Sequence, residues 1–245
     1  MILLTIGAII GLVMGLTGAG GALISIPLFI HFQGMSLKEA SIFSLMAVVI
    51  ASTSNFIYQR EEARINLALI MILSSSIGSL LSQPYKSYLS DIFIGIILSL
   101  ISIYSLYSVW FHKGKLRGLM KSTPSIWITI LIGLLLGLLT TFTGLGGGVL
   151  ILPILLSIYR LESKEAVATS LLIVGLSSLA SFIIQIKDIS QPFESKYLLL
   201  IIGIIIVSYL LKKTMIKLSS QCQDNLRKVV FSIVVVISLT KIFMS

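Results

Sequence analysis

Charged residues are rare along this chain, and they separate long apolar runs. Four runs of about 20 residues, at 40–59, 65–85, 92–111 and 166–186, contain no Asp, Glu, Lys or Arg. At 1.5 Å of rise per residue, each run is long enough to cross a hydrocarbon core of ~30 Å as a helix. Two further runs, at 197–211 and 229–244, are shorter, and we count them as spans too. The pattern predicts an all-α integral membrane protein.

The chain also contains two copies of one pattern, related by a shift of 126 positions. The shift aligns Thr17, Gly18, Gly20, Gly21, Pro27, Lys38, Glu39, Ala40 and Ser44 with Thr143, Gly144, Gly146, Gly147, Pro153, Lys164, Glu165, Ala166 and Ser170. Because many of these matches are polar residues or prolines, hydrophobic bias does not account for them. We therefore predict a duplication, with a first repeat at 1–111, a basic cytoplasmic linker at 112–124 and a second repeat at 125–245.

Each repeat begins with a segment that is too long for one spanning helix. Residues 1–37 and 122–159 carry no charged side chain, and either segment would be roughly 50 Å long as a straight helix. Clustered glycines oppose a continuous helix. They interrupt both segments, at Thr17, Gly18, Ala19, Gly20 and Gly21 and at Thr143, Gly144, Leu145, Gly146 and Gly147. Each segment is then either a broken helix that crosses once or a re-entrant hairpin that returns to its own side.

The distribution of basic residues favours the hairpins. With single crossings, the 18 Lys and Arg residues divide equally between the two sides of the membrane. With hairpins, one side keeps five of them, namely Lys38, Lys86, Lys187, Lys196 and Lys241, and the other side holds the rest. Cytoplasmic loops are normally enriched in Lys and Arg, so the uneven distribution is the expected one. Since a hairpin plus three spans is an odd number of crossings, the predicted fold has two inverted repeats, each a glycine-broken re-entrant hairpin followed by three transmembrane helices.

The two hairpin tips are the candidate binding site. A helix that restarts after a glycine break presents free N–H groups and the positive end of its dipole, which favour an anion. We expect the ten tip positions of the two glycine clusters to bind it, together with Ser44 and Ser170, which match under the repeat. By contrast, Gly7, Gly11, Gly133 and Gly137 have the spacing of small residues at close helix contacts, and we interpret them as packing positions.

Composition excludes several other classes of protein. The chain is 56% hydrophobic and 11% charged with a net charge of +9, but its basic residues lie between apolar runs and not on one face, so no nucleic-acid partner is expected. One cysteine and two histidines give no metal site. The predicted spans contain neither paired acids nor a serine-histidine arrangement, so we predict no enzyme and no cofactor.

The glycine-rich segments, each followed by a proline and then a Lys-Glu-Ala…Ser-Leu helix, resemble the sulfite exporter TauE/SafE family over nearly the whole chain. One departure is Ala22, which stands where the second repeat has Gly148. The resemblance implies a multi-pass carrier in a prokaryotic inner membrane. Its implied substrate is a small inorganic or sulfonate anion, such as sulfite, moved by alternating access, with an anion channel as the alternative. The implied partners are this anion and the lipid bilayer, and a homodimer is one possible assembly.

Overall fold

The computed structural model describes residues 2–17, 21–88, 124–144, 147–188 and 197–215, together with scattered residues of 96–110 and 221–236. Within these residues the protein is helical and has no β-strand. The helices are α1 (Ile2–Thr17), α2 (Gly21–Gln33), α3 (Leu37–Gln59), α4 (Ile65–Ser82), α5 (Ile126–Thr143), α6 (Gly148–Ser157), α7 (Ser163–Gln185) and α8 (Tyr197–Met215). Short 3₁₀ turns follow α3, α4 and α7.

Four of these helices are long and apolar enough to cross a membrane: α3, α4, α5 and α7. The helices α1, α2 and α6 are apolar but shorter, and the apolar stretch of α8, Tyr197–Leu211, is short as well. The structure thus confirms as helices the spans expected at 40–59, 65–85, 166–186 and 197–211. The remaining spans expected at 92–111 and 229–244 lie largely outside the described residues. Large side chains such as Leu73, Leu131 and Ile183 are exposed on the surface of the bundle, as residues facing lipid are.

The start of α3 is fixed by its own sequence. Ser36 caps the helix, because its hydroxyl accepts a hydrogen bond from the Glu39 N–H while the Glu39 carboxylate accepts one from the Ser36 N–H. This reciprocal pair satisfies two backbone donors that a helix start would otherwise leave free. A cap that includes a charged carboxylate belongs at the polar surface of a membrane. The helix α3 therefore begins before the apolar run at 40–59.

Glycines bring α1 and α8 into backbone contact. A Cβ atom added at Gly7 would collide with the carbonyl of Leu200, and one at Gly11 would lie 2.8 Å from the carbonyl oxygen of Ile204. Both contacts join residues that are 193 positions apart, so the two helices run parallel. Small residues allow this close approach between helices in lipid.

The pair formed by α4 and α5 has the same construction. A Cβ at Gly137 would lie 2.9 Å from the Cα of Ser75, and the hydroxyl of Thr141 donates to the Ser79 carbonyl at 3.3 Å. These contacts join residues 62 positions apart, so α4 and α5 also run parallel. The predicted packing role of Gly7, Gly11 and Gly137 is thereby confirmed. The space beside Gly133 is likewise occupied by the side chain of Ser74.

The helices α3 and α7 cross at the centre of the bundle. Ser52 of α3 packs on Gly175 of α7, where an added Cβ would lie 3.2 Å from the Ser52 Cβ. Further along the pair, just beyond the end of α3, the Arg64 N–H donates to the hydroxyl of Thr169 at 3.0 Å. From Ser52 to Arg64 the residue number rises, while the contacting residue of α7 falls from Gly175 to Thr169. The helices α3 and α7 are therefore antiparallel.

Buried polar contacts attach one further helix to each member of this central pair. Asn55 of α3 donates to the Ser208 hydroxyl of α8 at 3.0 Å, and the rings of Phe43 and Tyr197 lie 4.7 Å apart between the same helices. On the other side, the hydroxyls of Ser79 in α4 and Ser181 in α7 are 2.8 Å apart, and Gln83 just after α4 donates to Asp188 just after α7 at 2.9 Å. The helix α8 therefore runs parallel to α3, and α4 runs parallel to α7.

We predict that Gly137→Ala lowers the unfolding temperature of the purified protein in detergent. The new methyl group meets the backbone of Ser75, which cannot move away without separating α4 from α5, and overpacking of this kind costs about 1–3 kcal/mol. Gly175→Ala is the matched control, since the atom nearest to its methyl group is the Ser52 Cβ at 3.2 Å and the nearest backbone atom is 3.9 Å away. Equal unfolding temperatures for the two variants would contradict the backbone contact.

Candidate functional site

The first glycine cluster separates α1 from α2. The helix α1 ends at Thr17 and α2 begins at Gly21, while Gly18, Ala19 and Gly20 lie outside the described residues. The Gly21 N–H donates to the Met14 sulfur at 3.2 Å, and a Cβ at Gly21 would lie 3.7 Å from the side chain of Ile10. In one straight helix, residues 11 positions apart would be about 16 Å apart. The helix α2 therefore does not continue the line of α1.

The second glycine cluster separates α5 from α6, and here the backbone itself requires glycine. Gly144 ends α5 with a φ of 69°, and its N–H donates to the Thr140 carbonyl at 2.9 Å. Gly147 precedes α6 with a φ of 66°. Other residues pay about 1–2 kcal/mol in this left-handed region. The positions between them, Leu145 and Gly146, lie outside the described residues.

The two tip threonines are buried at matching places. The hydroxyl of Thr17 donates to the Val13 carbonyl at 2.7 Å, and that of Thr143 donates to the Leu139 carbonyl at 2.7 Å. Each proton is thus directed at its own helix, four residues back. In this conformation the threonines stabilise the ends of α1 and α5, and neither of these bonds caps the helix that follows.

Hydroxyl groups from α2 and α3 gather against the second break. The Ser44 hydroxyl is 2.6 Å from that of Ser25 and 3.4 Å from the Gly144 carbonyl oxygen. Ser41 packs directly on Gly144, with its hydroxyl donating to the Lys38 carbonyl at 2.9 Å. The structure therefore brings the predicted site residues Ser44, Thr143 and Gly144 together.

Sequence reasoning did not identify Ser25 and Ser41 as members of this cluster. Ser25 is the one polar residue between Gly21 and His31 in an otherwise apolar helix arm, and this signal could have found it. Ser41 lies one turn before Ser44, on the same face of α3. Its role depends on the position of Gly144, which the sequence does not give.

The corresponding positions in the second repeat are less polar. The repeat places Ile151 where the first repeat has Ser25, and Val167 where it has Ser41. Ser170, the match of Ser44, is buried and donates to the Val167 carbonyl of its own helix at 2.8 Å. The residues that gather against the second break are thus more polar than their counterparts under the repeat.

Charged and titratable groups lie near the ends of the helices. Arg64 and Glu165 form an ion pair at 2.8 Å, in which the arginine side chain is 61% exposed. The Tyr159 hydroxyl, just after α6, donates to the Thr129 hydroxyl near the start of α5 at 2.7 Å. Burial raises the pKa of Tyr159, against the opposing effect of this hydrogen bond, so the phenol is protonated at neutral pH. Among the residues that the structure describes, no cluster of His, Cys, Asp and Glu side chains could hold a metal ion.

A helical bundle with several apolar helices of membrane-crossing length, and with buried glycine breaks at matching positions of a duplicated chain, defines a multi-pass membrane protein with the plan of a transporter. The chain belongs to the sulfite exporter TauE/SafE family, whose model matches residues 3–240. The resemblance seen in the glycine-rich segments is thereby confirmed.

Relatives in two bacteria carry names of the same kind. A "Probable membrane transporter protein" of Xylella fastidiosa (strain Temecula1) is 25% identical over 182 residues, which cover 69% of this chain and 67% of that protein. The "Probable membrane transporter protein YunE" of Bacillus subtilis (strain 168) is 26% identical over 205 residues, which cover 73% and 75%. No solved structure matches this chain significantly. The family and these names confirm the predictions of a transporter, of a non-enzymatic protein and of a place in the cell membrane.

We predict that Gly144→Ala lowers the unfolding temperature more than Gly147→Ala does. Both substitutions carry the backbone strain of about 1–2 kcal/mol that a positive φ imposes. The Gly144 methyl group also collides with Ser41, whereas the atom nearest to a Gly147 methyl group is the Thr140 hydroxyl at 3.1 Å. Thermal unfolding in detergent measures the difference. Indistinguishable melting curves would show that Ser41 does not press on this glycine.

Proposed function

We propose that this protein carries a small anion, a sulfur oxyanion or organosulfonate such as sulfite, across the cell membrane by alternating access. The anion binds at the tips of two re-entrant hairpins, at residues 17–21 and 143–147, with Ser44 and Ser170 beside them. Family membership supports a small anion as the substrate. The observation that carries the site is the second break, where a left-handed Gly144 packs on Ser41 and accepts from Ser44.

The hydrogen bond between Tyr159 and Thr129 supports the hairpin geometry. It joins the end of α6 to the beginning of α5, two places that would be about 45 Å apart if the segment were one straight helix. From this bond the chain runs about 21 Å along α5 to Thr143, and it returns about 17 Å from Gly148. The tip of such a hairpin would lie beyond the middle of a hydrocarbon core of ~30 Å.

The helix directions support the inversion of the two halves. The helices α1, α3 and α8 are parallel to one another through the α1–α8 and α3–α8 contacts. The helices α4, α5 and α7 are parallel to one another in the same way. Since α3 and α7 are antiparallel, each of α1, α3 and α4 opposes its counterpart in the other half, as inverted repeats require.

The chemistry of such tips suits an anion that must also be released. The first N–H groups of a helix have no partner within the helix, and its dipole places partial positive charge there. No Lys or Arg lies within residues 1–37 or 122–159, so the ligand would be held by N–H and O–H donors alone. Without a full counter-charge from the protein, the anion is bound more weakly and released faster, as a transporter requires.

An anion channel with the same selectivity site is the alternative. A carrier exchanges its substrate, so unlabelled sulfate or sulfoacetate inside proteoliposomes would accelerate uptake of the labelled anion. A channel would show flux that rises with concentration without saturating and would show no such acceleration. Counterflow therefore distinguishes the two mechanisms on one preparation.

We predict that at least one anion among sulfite, sulfate, thiosulfate and sulfoacetate raises the unfolding temperature of the purified protein, while the zwitterion taurine has a smaller effect. A ligand at 100 times its Kd stabilises the folded state by about 2.7 kcal/mol. Ser44→Ala should reduce this shift, because Ser44 lies at the second tip. Ser76→Ala is the matched control, a serine of α4 that donates only to its own helix. The site would be wrong if both variants kept the full shift.

If the two halves are inverted, two lysines at matching positions lie on opposite sides of the membrane. Lys38 and Lys164 are related by the repeat, and both are exposed. In a Cys222→Ser background, Lys38→Cys and Lys164→Cys should react with a membrane-impermeant maleimide from opposite sides of the membrane. The Lys164→Cys thiol should react only after the cells are opened. Labelling of both positions from one compartment would exclude inverted halves.

A further inference from the structure

The described helices fall into two groups that do not correspond to the two halves of the sequence. The first group contains α1, α2, α3 and α8, and the second contains α4, α5, α6 and α7. Within each group every helix packs on at least one other member. Between the groups, α3 packs on α7 and α2 touches α6 at a few residues. Each half thus contributes its last described helix to the group of the other half.

Strong contacts hold the first group together. The glycines of α1 and α8 place the two backbones in contact, including Gly203 against the carbonyl of Leu4. Asn55 joins α3 to Ser208 of α8 by a buried hydrogen bond, and its amide oxygen fills the space beside Gly15 of α1. Three helices of the first group therefore meet at Asn55.

The second group has matching contacts. Ser79 of α4 donates to the Gly137 carbonyl of α5 at 3.1 Å and also bonds to Ser181 of α7, so it occupies the position that Asn55 has in the first group. At one end of α4, Arg64 pairs with Glu165 of α7. At the other end, Gln83 donates to Asp188 at 2.9 Å. The helix α4 is therefore fastened to α7 at both ends and in between.

The seam between the groups is different in character. Small residues meet there, namely Ser52 on Gly175 and Ser41 on Gly144. The hydrogen bond from Ser44 to the Gly144 carbonyl crosses the seam, and at 3.4 Å it is long. The α3–α7 contact is extensive, but helices that meet through small side chains can slide past each other in a shear movement. The buried hydrogen bonds inside each group hold its helices in place.

We propose that transport moves these two groups as rigid bodies against each other along the α3–α7 seam, with the contact of Ser41 and Ser44 on Gly144 made and broken in each cycle. The proposal rests on the proposed transport function and identifies its moving parts. The chain passes from one group to the other between α3 and α4 and again between α7 and α8. In this proposal the short connection at residues 60–63 acts as a hinge. A movement of the groups opens or closes the second tip directly, because the tip belongs to one group and its hydroxyl cluster to the other.

The first arm of the test fixes each group internally. In the Cys222→Ser background, the pairs Asn55→Cys with Ser208→Cys and Ser79→Cys with Ser181→Cys place thiols at contacts inside the first and second groups. We expect oxidised protein in proteoliposomes to take up labelled sulfoacetate with no loss relative to the same protein after dithiothreitol. A large loss that dithiothreitol reverses would show that the groups deform during transport, and it would overturn the proposal.

The second arm measures distances by pulsed electron paramagnetic resonance with maleimide spin labels. One pair, Leu198→Cys with Tyr85→Cys, spans the seam, and the other, Leu198→Cys with Phe32→Cys, lies inside the first group; all three side chains are exposed. Addition of sulfoacetate should shift the distance distribution of the first pair and leave that of the second unchanged. An unchanged first pair in protein that transports sulfoacetate, or an equal shift of both pairs, would overturn the proposal. Folded protein that transports none of the sulfur anions would instead overturn the proposed function.

Discussion

A polypeptide backbone inside a lipid bilayer must have its N–H and C=O groups hydrogen-bonded by protein, and this constraint governs the whole molecule. The chain interrupts two helices in apolar surroundings, between Thr17 and Gly21 and between Thr143 and Gly148. Such interruptions persist only where other helices cover them. Thr17, Gly21, Gly144 and Gly147 are accordingly buried, and the helices α3 and α7 that follow the breaks form the centre of the bundle.

The two halves of the chain pack into each other because each covers the interrupted helix of the other. The first arm of each glycine-broken segment packs on the last described helix of the opposite half, through glycines that leave no room for a methyl group. Neither half could bury its own interrupted helix in this manner alone. With the predicted repeats at 1–111 and 125–245, each half thus packs one of its helices into the other half of the described structure.

Much of this plan was predictable because it depends on local sequence. The apolar runs gave the helices, and the glycine clusters gave the breaks, since glycine is needed where φ is positive at Gly144 and Gly147. Helix partners were not predictable. Every helix surface in lipid is apolar, so hydrophobicity does not tell which face meets which, and the choice rests on the fit of small residues such as Gly11 at Ile204. The joining of Ser25 and Ser41 to the second break depends on that fit, and so it was missed.

The difference in polarity between matching positions of the two repeats bears on the energetics of the proposed transport cycle. Two identical inverted halves would make the inward-open and outward-open forms mirror each other, with equal free energies in a symmetric solvent. In the proposed carrier, the replacement of Ser25 by Ile151 and of Ser41 by Val167 under the repeat would remove this equality, because the polar residues that meet the second tip have apolar counterparts. The empty protein would then favour one orientation, and the divergence of the two halves after duplication would decide the side of the membrane on which it waits for substrate.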